Sequence, residues 1–285
     1  MSIMSEETSI EALIEQAKAG SQDALEVIIR QIQDRVYNLA LRMLLEPADA
    51  EDATQEILIK VVTHLSEFRQ ESAFATWVYR IATNYLLTTR KRRAEQGQLT
   101  FQRLGRYLDD SLAMGASAIP EGYERRLLVE EIGLSCTLGM LICLDRVSRI
   151  TYILGEIFEV SSEEGAAIMK TTPAAFRKRL SRARAEIRAF VQQQCGIANP
   201  TNPCRCSKHV GNKIRAGLLK PDRLQYATAS QATQFDGAIY EYAQEVQELD
   251  RAAALFHLHP SYAAPEIVVE GIKRLLHSGR FSMFT

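Results

Sequence analysis

The chain contains 285 residues, of which 46% are hydrophobic and 24% are charged, and its formal net charge is −1. This length suits about two or three domains, each able to bury its own core. The near-neutral charge argues against a coat protein held on nucleic acid by charge alone. No apolar run approaches the roughly 20 residues that span a bilayer, so we expect no membrane insertion. The N-terminus also lacks the features of a signal peptide, which predicts a cytoplasmic location.

A first group of helices is predicted from Thr8, where Thr8 and Glu11 form a capping box. Two later helices follow over about 49–65 and from about Ser72, and the last one ends in four consecutive cations. The second helix of this group is long, and its apolar residues recur at spacings of three and four: Leu25, Ile28, Ile32, Val36, Leu39 and Met43. These patterns predict a helical domain over residues 1–93.

Helical periodicity fades over residues 94–123. The residues that interrupt it are Gly97, Gly105, Gly115, Pro120 and Gly122. Because glycine and proline are strong breakers, we predict a flexible linker with room for one short helix.

A second domain is predicted over residues 124–194. Ser161 and Glu164 form another capping box, and a short helix and a turn follow. The next helix is capped by Thr172 and has Pro173 in its first helical position. This spacing is typical of a helix-turn-helix.

The second helix of this motif has the chemistry of a DNA-recognition helix, with small and polar residues early and cations beside them. The candidate residues for duplex binding are Thr172, Pro173, Ala174, Ala175, Arg177, Lys178, Arg179, Ser181, Arg182 and Arg184. Phe176 and Leu180 are expected to face the core. The alternative interpretation is an ordinary basic, solvated helix.

Gly165 stands inside the first helix of the motif. Glycine costs about 1 kcal/mol in a helix interior, so this helix either packs closely on a neighbour or is weak.

Aromatic and basic residues alternate between Phe68 and Arg93. Aromatic groups can hold unstacked bases while cations follow the phosphate backbone, as in proteins that bind single strands. The alternative is a structural one, because Phe74, Trp77 and Ile81 also have the spacing of a buried helix face.

Two segments in this order resemble a known family. DAEDATQEILIKV at 49–61, followed by FATWVYRIATNYLLTTRKRR at 74–93, resembles region two of the bacterial sigma factors of the extracytoplasmic-function group. The helix-turn-helix, SSEEGAAIMKTTPAAFRKRLSRAR at 161–184, is similar to their region four. The resemblance implies an all-α protein with two small helical domains that directs RNA polymerase to promoters and is not an enzyme.

The resemblance also implies roles for individual positions. The residues matching the polymerase-docking helix are Asp49, Glu51, Asp52, Gln55 and Glu56. Those matching the reader of the melted minus-ten element are Phe68, Arg69, Ser72, Phe74, Thr76, Trp77, Tyr79, Arg80, Asn84, Arg90 and Arg92. The recognition helix matches the reader of the minus-thirty-five duplex. The implied partners are core RNA polymerase and promoter DNA, both duplex and melted, and an anti-sigma factor is a candidate partner.

Residues 195–285 form a cysteine-containing loop and an extension that we expect to be mainly helical and regulatory. Cys195, Cys204, Cys206 and His209 have the spacing C-x8-C-x-C-x2-H, which supplies enough ligands for one tetrahedral zinc ion. The alternative is a set of free cytosolic thiols in a loop. No other cofactor is expected.

Two other functions stay open at this point. The chain could be a stand-alone helix-turn-helix regulator, or a metal- or thiol-responsive transcription factor that uses its cysteine-rich segment. An enzyme is the weakest option, since the sequence offers no phosphate-binding glycine loop and no nucleophile with a base.

Overall fold

The computed structural model describes residues 9–89, 99–115, 124–227, 251–257, 259–266, 268 and 270–271. These residues form helices joined by turns, without a β-strand, and the prediction of an all-α fold is confirmed. None of the helices within these ranges is long and apolar enough to cross a membrane. The described residues fall into two compact units. The first contains residues 9–89, 167–170 and those described after 260, and the second contains the rest.

The first unit is built on four helices. They are α1 (Ile10–Lys18), α2 (Gln22–Leu44), α3 (Pro47–Thr63) and α4 (Phe74–Thr88), with a short 3₁₀ turn at Leu65–Glu67. Ser9 caps α1, because its hydroxyl accepts a hydrogen bond from the Ala12 amide at 3.3 Å. The predicted cap was Thr8, which lies outside the described residues.

The apolar stripe of α2 forms the centre of this unit. All six predicted residues are buried, and Ala53, Ile57 and Val61 of α3 are buried as well. Helix α2 ends where Leu45 takes a left-handed conformation with φ 71°. Pro47 then occupies the first turn of α3. A backbone N–H at this position would have no acceptor within the helix, so the N–H that proline lacks is not missed.

A segment of the C-terminal extension belongs to the same unit. The Asn38 side-chain amide donates to the Tyr262 carbonyl at 2.6 Å, and the Asn38 Oδ1 accepts from the Tyr262 amide at 3.1 Å. The Arg42 guanidinium lies 5.6 Å from the centre of the Tyr262 ring. Residues around Tyr262 are therefore an integral part of the α2 surface.

The second unit contains the remaining helices. They are α5 (Phe101–Ala113), α6 (Arg125–Cys143), α7 (Arg146–Tyr152, continued by a π-helical turn at Ile153–Ile157), α8 (Ser162–Met169), α9 (Pro173–Gln194), α10 (Cys206–Arg215) and α11 (Arg251–His257). Residues 167–170, at the end of α8, group with the first unit. Of residues 195–285, which were predicted to contain a mainly helical extension, α10 and α11 are described as helices, and residues 228–250 and 272–285 lie outside the described residues.

Helix α5 occupies much of the predicted linker. Its Phe101 ring lies 5.2 Å from the Phe190 ring of α9, measured between centroids, and Leu104 and Leu108 are buried. Gly105 permits this packing, since a Cβ there would lie only 3.2 Å from the Gln194 amide nitrogen. A glycine that the sequence pattern treated as a helix breaker is instead a point of close approach.

Two buried charged residues hold the second unit together. The Arg149 guanidinium donates to the carbonyls of Leu141, Ile142 and Leu144 at 2.9–3.1 Å, at the C-terminal end of α6. The Glu131 carboxylate accepts backbone N–H groups from residues 225, 226 and 227 at 2.8–2.9 Å. Both side chains replace water as hydrogen-bond partners of backbone groups at a helix end or in a loop.

Candidate nucleic-acid interface

The helix-turn-helix is present with the predicted caps. The Glu164 amide donates to the Ser161 hydroxyl at 3.1 Å, and the Ser161 amide donates to the Glu164 carboxylate at 3.0 Å, which completes a reciprocal capping box. The Thr172 hydroxyl accepts from the Ala175 amide at 3.2 Å, and Pro173 lies in the first turn of α9. Both predicted caps are confirmed.

The two helices of the motif are in close contact at Gly165. A Cβ at this position would lie 2.3 Å from the Cζ atom of Phe176, whose side chain is only 1% exposed. Leu180 is buried one turn later and packs against Gly155 in the same manner. The close-packing explanation for Gly165 is therefore confirmed, as is the inward direction of Phe176 and Leu180.

The opposite face of α9 presents polar and basic groups to solvent. Among the predicted DNA-binding residues, Pro173, Ala175 and Arg179 are half-buried. The exposed ones are Thr172, Ala174, Arg177, Lys178, Ser181, Arg182 and Arg184. An Arg177 guanidinium nitrogen lies 3.9 Å from the Glu163 carboxylate, and Arg184 pairs with Glu156. An exposed ion pair contributes little stability, so Arg177 can exchange its carboxylate partner for a phosphate at low cost. The partner of Arg184 differs, because the Glu156 side chain is only 11% exposed.

The aromatic residues of the first unit form a buried cluster. The ring centroids of Phe68, Phe74 and Trp77 lie 5.3–5.7 Å apart, and all three side chains are less than 9% exposed. The Lys18 ammonium donates to the Phe68 carbonyl at 2.9 Å. The structure thus places these three predicted base-contacting residues in the core. For Phe74 and Trp77 this is the alternative that their helical spacing left open, while Ile81 of the same stripe is half-buried.

The cluster supports an exposed loop and the polar face of α4. Arg69 and Gln70 are exposed, and Gln70 has a left-handed φ of 58°. Of the other predicted minus-ten residues, Asn84 is exposed, whereas Ser72, Thr76, Tyr79 and Arg80 are half-buried. Arg90 and Arg92 lie outside the described residues.

The acidic start of α3 provides a second polar surface. Asp52 and Glu56 are exposed, while Asp49, Glu51 and Gln55 are half-buried. Burial, and then the Glu51 carboxylate, raise the pKa of the Tyr37 phenol to about 12. A Cβ at Gly271 would lie 3.0 Å from the Gln55 amide nitrogen, so the C-terminal segment adjoins this surface.

The predicted metal ligands share a small cavity with one further cysteine. Cys195, Cys204, Cys206 and His209 line a space of about 30 Å³, and Cys136 of α6 lines it too. Cys136 had no local spacing signal that could have joined it to the others. Within the described ranges, no group of three or more His, Cys, Asp or Glu side chains could hold a metal ion.

A helix-turn-helix with an exposed basic face, in an all-α arrangement of the described residues, is typical of DNA-binding transcription proteins. Its capped recognition helix and buried inner face are the features that the motif requires.

Comparison with known proteins identifies the particular family. The sigma-70 region 2 family model matches residues 28–96. The chain is 30% identical over 183 residues to the ECF RNA polymerase sigma factor SigW of Bacillus subtilis, covering 64% of this chain and 96% of SigW. It is 31% identical over 193 residues to the ECF RNA polymerase sigma-E factor of Escherichia coli K12, covering 66% of this chain and 97% of that factor. A solved structure of CnrH in complex with the cytosolic domain of CnrY aligns with TM-score 0.46 at 21% identity, covering 64% of this chain and 96% of CnrH. The chain belongs to the extracytoplasmic-function family of RNA polymerase sigma factors.

Proposed function

We propose that this sigma factor binds core RNA polymerase, reads promoter DNA with two separate surfaces, and promotes opening of the duplex in the cytoplasm without acting as an enzyme. The observation that carries the proposal is the capped helix-turn-helix with an exposed basic face, in a chain whose family is that of sigma factors. An anti-sigma factor is a further candidate partner.

The start of α3 is the proposed polymerase-docking surface. Asp49 lies in the first turn of α3, where the positive end of the helix dipole stabilises its carboxylate. Asp52 and Glu56 are one turn apart and both exposed, so they can reach a basic partner together.

The exposed face of α9 is the proposed reader of the minus-thirty-five duplex. Ala174 is small and exposed near the N-terminus of the helix, and Arg177 and Lys178 follow one turn later. A recognition helix enters the major groove with such N-terminal residues, while flanking cations hold phosphates.

The loop after Phe68 and the polar face of α4 are the proposed reader of the melted minus-ten strand. In this proposal the buried aromatic cluster does not contact bases; it holds Arg69, Thr76 and Arg80 in place. Captured bases stabilise the open strand by binding energy, so no nucleotide hydrolysis is needed.

Transcription in vitro tests the proposal as a whole. Purified protein added to core polymerase on a genomic library is expected to produce transcripts from discrete start sites that neither component produces alone. A palindromic DNA footprint obtained without polymerase, together with no initiation, would instead identify a stand-alone regulator.

Arg80→Ala is expected to reduce open-complex formation about tenfold while leaving core binding unchanged. The loss of one cation next to the melted strand corresponds to about 1.4 kcal/mol. Permanganate reactivity of the promoter, measured beside a core-binding assay, separates the two steps. Arg30→Ala is the matched control, because Arg30 is exposed on α2 and paired with Glu26. Equal losses in both assays for Arg80→Ala would count against the assigned role.

A further inference from the structure

The C-terminal segment of the first unit (described residues 261–266, 268 and 270–271) is held on α2 through its backbone. The Asn38 side chain donates to the Tyr262 carbonyl at 2.6 Å and accepts from the Tyr262 amide at 3.1 Å. The Asp34 carboxylate accepts from the Ala264 amide at 2.8 Å. A covered stretch of backbone outside helices and strands needs such donors and acceptors, and α2 supplies them from its side chains.

The spacing of the C-terminal segment matches the spacing of α2. Ser261 and Ala263 are exposed, whereas Tyr262 and Ala264 are buried, which is the alternation of an extended chain with one face covered. Two residues of an extended chain advance about 6.6 Å, and one four-residue step along a helix advances about 6 Å. Successive inward residues of the segment therefore meet successive turns of α2.

The covered stripe of α2 is polar. Asn38 is 6% exposed and Arg42, one turn later on the same face, is 4% exposed, with its guanidinium 5.6 Å from the centre of the Tyr262 ring. Water or another protein can offer the same hydrogen bonds as the segment does, so the net free energy that each of these bonds contributes is small. An amide and a guanidinium are also well solvated when uncovered, unlike a core side chain. The contact is therefore of a kind that a competing partner can displace.

The C-terminal segment continues to the acidic start of α3. Val268 is buried, so it gives the segment an apolar anchor beyond Tyr262. At Gly271, an added Cβ would lie 3.0 Å from the Gln55 amide nitrogen. Gln55 belongs to the proposed polymerase-docking surface, and docking there requires the end of the segment to move away.

We propose that the C-terminal segment is an autoinhibitory strap, which occupies the polar stripe of α2 in the free chain, covers the Gln55 side of the docking surface, and is displaced when core RNA polymerase binds. This inference rests on the proposed docking role of α3. Only chains whose segment has left α2 bind core, so the apparent affinity is the intrinsic affinity multiplied by the fraction of such chains. A change that weakens the contact with α2 increases that fraction and tightens core binding.

Tyr262→Ala in the full chain is expected to bind core polymerase about tenfold more tightly than the wild type, because the ring over Arg42 is lost and the open fraction rises. Tyr262→Phe is the matched control, since it keeps the ring and both backbone hydrogen bonds to Asn38, and it should bind as the wild type does. Ala264→Pro removes the N–H that Asp34 accepts, leaves Tyr262 in place, and should also tighten binding. Titration of each labelled protein with core polymerase measures the dissociation constants, and unfolding midpoints verify that the variants fold.

Hydrogen exchange tests displacement in the wild-type chain. The amides of Tyr262 and Ala264 donate to side chains of α2, so we expect slow exchange in the free protein and about tenfold faster exchange in the complex with core. Core binding with unchanged protection of these amides, or equal affinity of the wild type, Tyr262→Ala and Ala264→Pro, would overturn the inference and leave the docking role intact. Failure of the wild type and of every variant to bind core would instead overturn the docking role on which the inference rests.

Discussion

Gly165→Ala is expected to lower the free energy of unfolding of the helix-turn-helix unit by about 1–2 kcal/mol. On helix propensity alone this change should stabilise the protein by about 1 kcal/mol. The new methyl group would, however, lie 2.3–2.8 Å from three atoms of the Phe176 ring, which is fully buried and cannot move into solvent. Overpacking of a rigid core costs more than helix propensity returns. Chemical denaturation followed by circular dichroism measures the difference.

Gly139→Ala is a control for which we expect no loss of stability. Gly139 also lies inside a helix, but an added Cβ would meet only the Leu99 side chain, at 4.0 Å. We expect this variant to be neutral or more stable. Adding Phe176→Leu to Gly165→Ala should restore part of the lost stability, because the smaller side chain vacates the position of the ring edge. An unchanged unfolding midpoint for Gly165→Ala would mean that the two helices do not pack as described.

The double change Arg177→Ala and Lys178→Ala is expected to weaken binding of the holoenzyme to minus-thirty-five duplex DNA by about 2 kcal/mol or more, roughly thirtyfold. Both side chains are exposed on α9, so their removal leaves the core intact. Because two cations are removed from the DNA-facing surface, the slope of log affinity against log salt should also fall, by about one unit for each counterion-releasing contact that is lost. Titration of holoenzyme with fluorescent promoter duplex at several salt concentrations measures both quantities.

Lys220→Ala with Arg223→Ala controls for net charge. Both residues are exposed in the second unit, outside the recognition helix, and their removal changes the charge by the same amount. We expect this variant to bind duplex DNA almost as the wild type does. If the two double variants lost affinity equally, long-range attraction rather than contact by α9 would explain the effect.

The extension distinguishes this chain from the relatives that it matches. Those relatives are covered over 96–97% of their length, whereas the match covers 64–66% of this chain. Among the described residues of the extension, the Tyr262 segment contacts α2, residues 225–227 contact Glu131 of α6, and the loop after α9 lines the thiol-containing cavity. Each feature joins residues of the extension to a helix of the two-domain arrangement.

Local sequence features determined most of the helices and their ends. The stripe of α2, the Ser161–Glu164 box and the Thr172 cap could be predicted because helical periodicity and capping depend on residues three or four positions apart. The family could be inferred for the same reason, since its two motifs are contiguous segments. The recognition helix was therefore accessible from sequence alone.

Only the tertiary structure decided whether a residue is buried or exposed where its local sequence pattern is compatible with both. Phe74 and Trp77 have a spacing that suits either a core or a base-binding surface, and only the Phe68 ring packed against both shows that they are buried. Local pattern alone indicates that Gly105 breaks a helix. Its actual role, to accommodate the Gln194 side chain, depends on a residue that is distant in sequence. Cys136 likewise joins the other thiols only when α6 packs beside the loop after α9. Burial and convergence depend on contacts between distant segments, and no local spacing encodes them.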